Sequence, residues 1–259
     1  VGRHALYTNS TGANNTAIGY NALTANTTAS NNTVIGYAAG DAVTTGAQNT
    51  FVGVNAAGNL VSAASCVAVG YQAMASGTQG DYGVAVGQNA LYTNTGAHNT
   101  GIGNNALYAN TTGAECVAVG SEALDANTTG TQNTAIGTSA LTANTTGDLN
   151  VAVGFQSMLT NVDGDRSVAV GYQSLYTQEP ASNVDMYNTA IGYIAGYGIT
   201  TGTNNTAVGG LALDYQNSSD CTAVGMSALT ANSADKNTAV GAGCLQSNTT
   251  AEVNTAAGY

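Results

Sequence analysis

Apolar and polar positions along this chain recur on a fixed period. A glycine closing an Asn-Thr-Ala-Ile-Gly pattern falls at 2, 19, 36, 53, 70, 87, 103, 120, 137, 154, 171, 192, 209, 225, 241 and 258. Eleven of the fifteen intervals are 17 residues, three are 16 and one is 21, so the whole chain, 1–259, reads as a single continuous repeat array. The position before the glycine holds Ile18, Ile35, Val86, Ile136, Val153 and Val208, and the position four after it holds Leu23, Leu107, Leu141 and Leu229. Both columns are expected to form the core. Alternation with period two across each Asn-Thr-Ala-Ile-Gly predicts a short strand with β-branched residues on one face and alanine on the other. A second extended piece is expected around Ala-Leu, followed by an Asn-Thr-Thr turn.

One such unit cannot bury its own apolar residues, whereas stacked units form continuous ladders. The predicted fold is therefore all-β: a parallel β-solenoid of about fifteen 17-residue rungs, roughly 70 Å long at ~4.8 Å per rung. Asparagine four before the glycine, as at Asn15, Asn32, Asn133 and Asn205, is expected to bond rung to rung and to the turn backbone, fixing register. Alanines such as Ala135 and Ala140 fit either tight packing inside the coil or close approach of another chain.

The unit Asn-Thr-Ala-Ile-Gly-Tyr-Asn-Ala-Leu at 15–23, seen again as Asn-Thr-Ala-Ile-Gly-Thr-Ser-Ala-Leu at 133–141, resembles the YadA-type head repeat of trimeric autotransporter adhesins. It is also similar to repeat arrays in phage tail-fibre-like surface proteins. The resemblance implies a left-handed parallel β-roll, three chains per head or shaft, and a role in adhesion. The unit here is longer than is usual in those heads, and the chain carries no anchor, stalk heptads or chaperone domain. It opens and closes within a unit, so a segment of a longer fibre, or end-to-end stacking of copies, is expected. The functional expectation is a structural or adhesive fibre segment, extracellular, on a cell surface or virion, that self-associates as a homo-oligomer. The alternative is a binding module for a glycan or a receptor on a host surface, with ice binding less favoured because the paired threonines, such as Thr27-Thr28 and Thr145-Thr146, are consecutive.

Charge and composition narrow the field further. Fourteen acids against three bases give a net charge of −11, which repels nucleic acid and anionic lipid. No apolar stretch approaches the ~18 residues of a membrane span, so no membrane insertion is expected. With two histidines, no tryptophan and 7% charged residues, the chain is poor in catalytic residue types, and no cofactor is implied. Glu115, Glu122 and Asp125 form the nearest approach to an acid cluster, with no lysine or arginine in the adjoining rungs, so an enzyme is not expected.

The remaining candidates are local. Cys66, Cys116 and Cys221 stand in the asparagine column and Cys244 replaces a small alanine; free buried thiols are expected, since Cys66 and Cys116 are three rungs apart. Asn161, Asp163 and Asp165 resemble part of a calcium loop that lacks its bidentate acid. Asn26, Asn110, Asn127, Asn144 and Asn248 open Asn-Thr-Thr sequences that are candidate glycosylation sites as well as plain turns, and Asn9, Asn14, Asn31, Asn204 and Asn217 add further matches. Tyr20, Tyr37, Tyr71, Tyr172, Tyr193 and Tyr259, with Phe155, follow the glycine; such a column packs across rungs or docks sugar rings or a second protomer. The 21-residue unit holds the sole proline and reads as a turn bulging from the coil over 178–186, a candidate receptor contact.

Overall fold

In the structure, a computed structural model describing residues 1–77, 80–215 and 217–258, strands are short and turns plentiful, with no helix among the described residues. The chain forms two compact units, Val1–Thr129 and Gly130–Tyr259. The first carries β1 (Thr16–Ile18), β2 (Thr33–Ile35), β3 (Thr50–Val52), β4 (Val67–Val69), β5 (Val84–Val86), β6 (Thr100–Ile102) and β7 (Val117–Val119). The second carries β8 (Thr134–Ile136), β9 (Val151–Val153), β10 (Gly164–Asp165), β11 (Val168–Val170), β12 (Val184–Asp185), β13 (Thr189–Ile191), β14 (Thr206–Val208), β15 (Thr222–Val224), β16 (Thr238–Val240) and β17 (Thr255–Ala257). Within each unit, equivalent strands of successive rungs pair parallel and in register, as Thr16 with Thr33 and Val168 with Thr189. Each unit is thus a parallel β-solenoid. The register follows the repeat, because pairing equivalent residues keeps like positions on the same side of every rung.

The strands face the opposite way from the sequence expectation. Alanine is inside: Ala68, Ala85, Ala118, Ala135, Ala152 and Ala207 are fully buried. The β-branched column is outside: Ile18 is 44% and Ile136 41% exposed, Ile35 and Val86 are also exposed, and Val153 and Val208 are half-buried. The reason is the width of the coil. Leu23, Leu107, Leu141 and Leu229 are fully buried and occupy the space opposite the strand, leaving room for little more than a methyl group. At Gly101, which takes the alanine position in β6, an added Cβ would already lie 3.2 Å from Cγ of Leu91.

Where the inner strand residue is large, the opposing column shrinks. Val34 and Phe51 are fully buried, and the leucine position facing them is Gly40, whose added Cβ would meet the Phe51 ring at 3.0 Å. The exchange extends around the rung. Gly40, Ala57 and Gly196 replace leucine in the rungs where Val43, Leu60 and Ile199, all buried, replace the turn asparagine. Interiors packed to crystal density enforce this conservation of volume within a rung.

The Ala-Leu segment is a turn rather than a second extended piece. Asn21 (φ 56°) and Leu23 (φ 54°) both adopt the left-handed conformation, and so do their equivalents in other rungs. The unusual conformation is held by bonds to both neighbouring rungs: the Asn21 N–H donates to Arg3 O at 3.0 Å and the Leu23 N–H to Ala39 O at 3.0 Å. The repeat glycines are required on separate grounds, for their φ lies between 131° and 146°, and a Cβ on Gly137 would sit 2.5 Å from Gly154 O.

Candidate functional site

Two asparagine ladders run inside the coil. In the column four before the glycine, Asn49 is buried; its Nδ2 donates to Ala63 O at 3.0 Å, and its Oδ1 accepts the Cys66 N–H at 2.9 Å. Asn15, Asn32, Asn133, Asn150 and Asn205 repeat the pattern. Cys66, Cys116 and Cys221 stand in this column as buried free thiols, as does Cys244 in its own. Each column cysteine keeps its backbone N–H on the preceding asparagine, so the ladder's link to the preceding rung is retained there.

The second ladder corrects the glycosylation expectation. Asn26, Asn110, Asn127 and Asn144 are fully buried, with their amides committed to the interior. Asn127 Nδ2 donates to Asn110 Oδ1 at 2.7 Å, and Asn144 Nδ2 to Gly147 O at 3.0 Å. Asn248 is half-buried and donates to Asn232 Oδ1 at 2.8 Å. A buried amide nitrogen spent on a carbonyl offers no attachment point. The exposed Asn-x-Ser/Thr asparagines are Asn9, Asn14, Asn31, Asn204 and Asn217. The adjacent threonines likewise serve the stack, Thr27 and Thr44 donating to carbonyls of the next rung at 3.3 Å.

The calcium candidate is also corrected. Asn161 belongs to the buried ladder, its Oδ1 accepting from Gln178 Nε2 at 3.0 Å, whereas Asp163 takes the hydroxyls of Thr145 and Thr146 and Asp165 the N–H of Asp148. Among the described residues no group of three or more His, Cys, Asp or Glu is placed to hold a metal ion. The 21-residue unit is tied in at both ends. Gln178 and Met186 are buried, Gln178 linking Asn161, Ser167 and Asn188, while residues 181–185 lie exposed. β12 pairs parallel with β10, and Arg166 forms an ion pair with Asp185.

Two surface features remain. The first is the outward strand face. In each unit, threonine or valine and then isoleucine or valine face outward on the three-residue strands, except that β17 ends in Ala257, and together they make a stripe of methyl groups and threonine hydroxyls on the order of 300 Å² per unit at ~4.8 Å between strands and ~3.3 Å per residue. A patch of this extent is comparable to the largest on an ordinary monomer, and such patches are often functional.

The second is the edge formed by the columns two and five after the glycine, which the sequence reading did not single out. In the second unit a cavity of about 500 Å³ is lined by Gln173, Ile194, Tyr197, Leu211, Asp214 and Tyr215. The rings of Tyr176 and Tyr197 stack at 5.0 Å. Asp214 is 8% exposed, and its Oδ1 has no hydrogen-bond partner. Burial raises its carboxyl above the usual range, opposed by a backbone N–H. The signal was a Tyr-Tyr-Asp succession in one column, visible only once the five-after position is read down the chain as Tyr176, Tyr197, Asp214.

The tyrosine column one after the glycine stacks where it is continuous: Tyr20 on Tyr37 at 5.4 Å, Phe155 on Tyr172 at 5.5 Å, and Tyr172 on Tyr193 at 5.3 Å. Tyr259 lies outside the described residues. Neither family models, nor curated proteins, nor solved structures match this chain.

Proposed function

We propose that this chain is a structural segment of an extracellular fibre, at a cell surface or on a virion, that self-associates through the outward Val/Ile face of its rungs. The observation that carries the reading is that face. Ile18, Ile35 and Ile102 on β1, β2 and β6 of the first unit, and Ile136 and Ile191 on β8 and β13 of the second, stand exposed on a fold whose interior is already filled, so the isoleucines are not needed for the coil's own core. A partner presenting the same repeat would match it rung for rung, and a shared face between copies is how most homo-oligomers are built. The resemblance of the 15–23 unit to adhesin heads supports placing such a fibre outside the cell.

Repetition suits a load-bearing role. Backbone groups in strands and turns alike bond to the neighbouring rung, and the buried asparagines add a second set of rung-to-rung bonds. Sedimentation velocity of the purified chain tests the reading. A homo-oligomer stable at micromolar concentration is the expected result; a monomer at all concentrations would overturn it.

A further inference from the structure

We propose that the cavity between Gln173 and Tyr215 in the second unit is a binding site for a single neutral pyranose ring. The lining supplies what such a ligand needs. A pyranose has an apolar C–H face and a rim of hydroxyl donors. Ile194 and Leu211 give an apolar wall, and Tyr197, stacked on Tyr176, gives an aromatic edge held in place by its neighbour. Tyr215, 72% exposed, stands at the opening.

Asp214 carries the polar end. Its carboxylate accepts only, it is nine-tenths buried, and Oδ1 finds no donor in the protein. A buried carboxylate oxygen without a donor is a strong acceptor for ligand hydroxyls, because the cost of its desolvation is already met in the free protein. Gln173 adds an amide able both to donate and to accept. An apolar wall with a few convergent polar groups, in a cavity of about 500 Å³, is the usual make-up of a small-molecule site. The net charge of −11 disfavours anionic sugars.

The arrangement occurs twice. In the first unit Tyr92, Tyr108 and Asp125 occupy the same column of three successive rungs; the tyrosines stack at 5.2 Å, and Asp125 Oδ1 again has no partner. The accompanying positions differ, Asn89, Asn105 and Glu122 against Gln173, Ile194 and Leu211. The apolar wall marks the Asp214 copy as the binding one.

Ligand-detected saturation-transfer NMR on the full chain tests this, with glucose, galactose, mannose, N-acetylglucosamine and glucosamine as probes. At least one neutral sugar is expected to show transfer, reduced at least tenfold in Asp214→Ala and in Tyr197→Ala, with the β-type circular dichroism retained. Should Tyr197→Ala lose its β-structure, Tyr215→Ala serves in its place. Absence of transfer to every neutral sugar, transfer unchanged in the variants, or transfer to glucosamine alone would overturn the proposal, the last by showing a cation site. None of these outcomes bears on self-association through the strand face.

Discussion

Asparagine inside these coils replaces what a longer aliphatic chain does in a globular core, and adds direction. Asn49 joins its own rung to the next through both ends of its amide, so it sets spacing as well as filling volume. Leucine at that position would fill similar space but leave Ala63 O and the Cys66 N–H buried without partners. A cost of about 1–3 kcal/mol per orphaned group is expected for Asn49→Leu in urea denaturation. Asn14→Ala, at an exposed position, should still cost about 1–2 kcal/mol, because Asn14 has a φ of 56°, a left-handed conformation that alanine disfavours. The role of the column was legible because asparagine recurred where a strand begins. That the Asn-Thr-Thr asparagines also point inward was not, since a turn composition is the same whether its first side chain faces water or the core.

At the scale of one rung, the strand's orientation was misread for a physical reason. Period-two alternation separates two faces but does not say which is buried; the larger residues are normally assigned inside, and here a coil already filled by leucine reverses the choice. The compensating rungs carried the sign of it, where Phe51 in an alanine position coincides with Gly40 in a leucine position. The glycine column was legible as a fixed landmark, and the structure supplies its cause. Gly137→Ala should force β8 and β9 apart, because the new methyl meets Gly154 backbone and the φ of 136° is one that alanine rarely adopts. Amide hydrogen exchange should show lost protection centred on residues 134–154 and fading over the rungs of the second unit beyond. Protection unchanged there would contradict the close approach.

At the scale of the whole molecule, the repeat array followed from the glycine spacing and the all-β architecture from the period-two alternation, whereas the Tyr-Tyr-Asp edge did not, because its members lie about 17 residues apart and mean nothing until stacked. Acidity acts on the molecule as a whole. Burial raises the carboxyls of Asp41, Asp125, Asp165, Glu179 and Asp214 above their ordinary values, so the folded chain holds protons that the unfolded chain releases. Their contribution to stability is fully present below the unfolded carboxylate range and is lost as pH rises through the raised folded values. Melting temperature should therefore rise as pH is lowered from 7 toward the ordinary carboxylate range, helped by relief of repulsion in a chain of net charge −11. Asp214→Asn should flatten that slope, and a melting temperature that falls over the same range would contradict the burial of these acids.

The outward strand face is the claim on which fold and proposed function both rest. Circular dichroism and sedimentation velocity on the double variant Ile136→Asp, Ile191→Asp, compared with the unaltered chain, test it together. With both residues on the surface, the variant should keep the β-type spectrum and sediment as a monomer where the unaltered chain sediments as an oligomer. Loss of the β-type spectrum in the variant would contradict the account, because it would place the isoleucines in the protomer's own core.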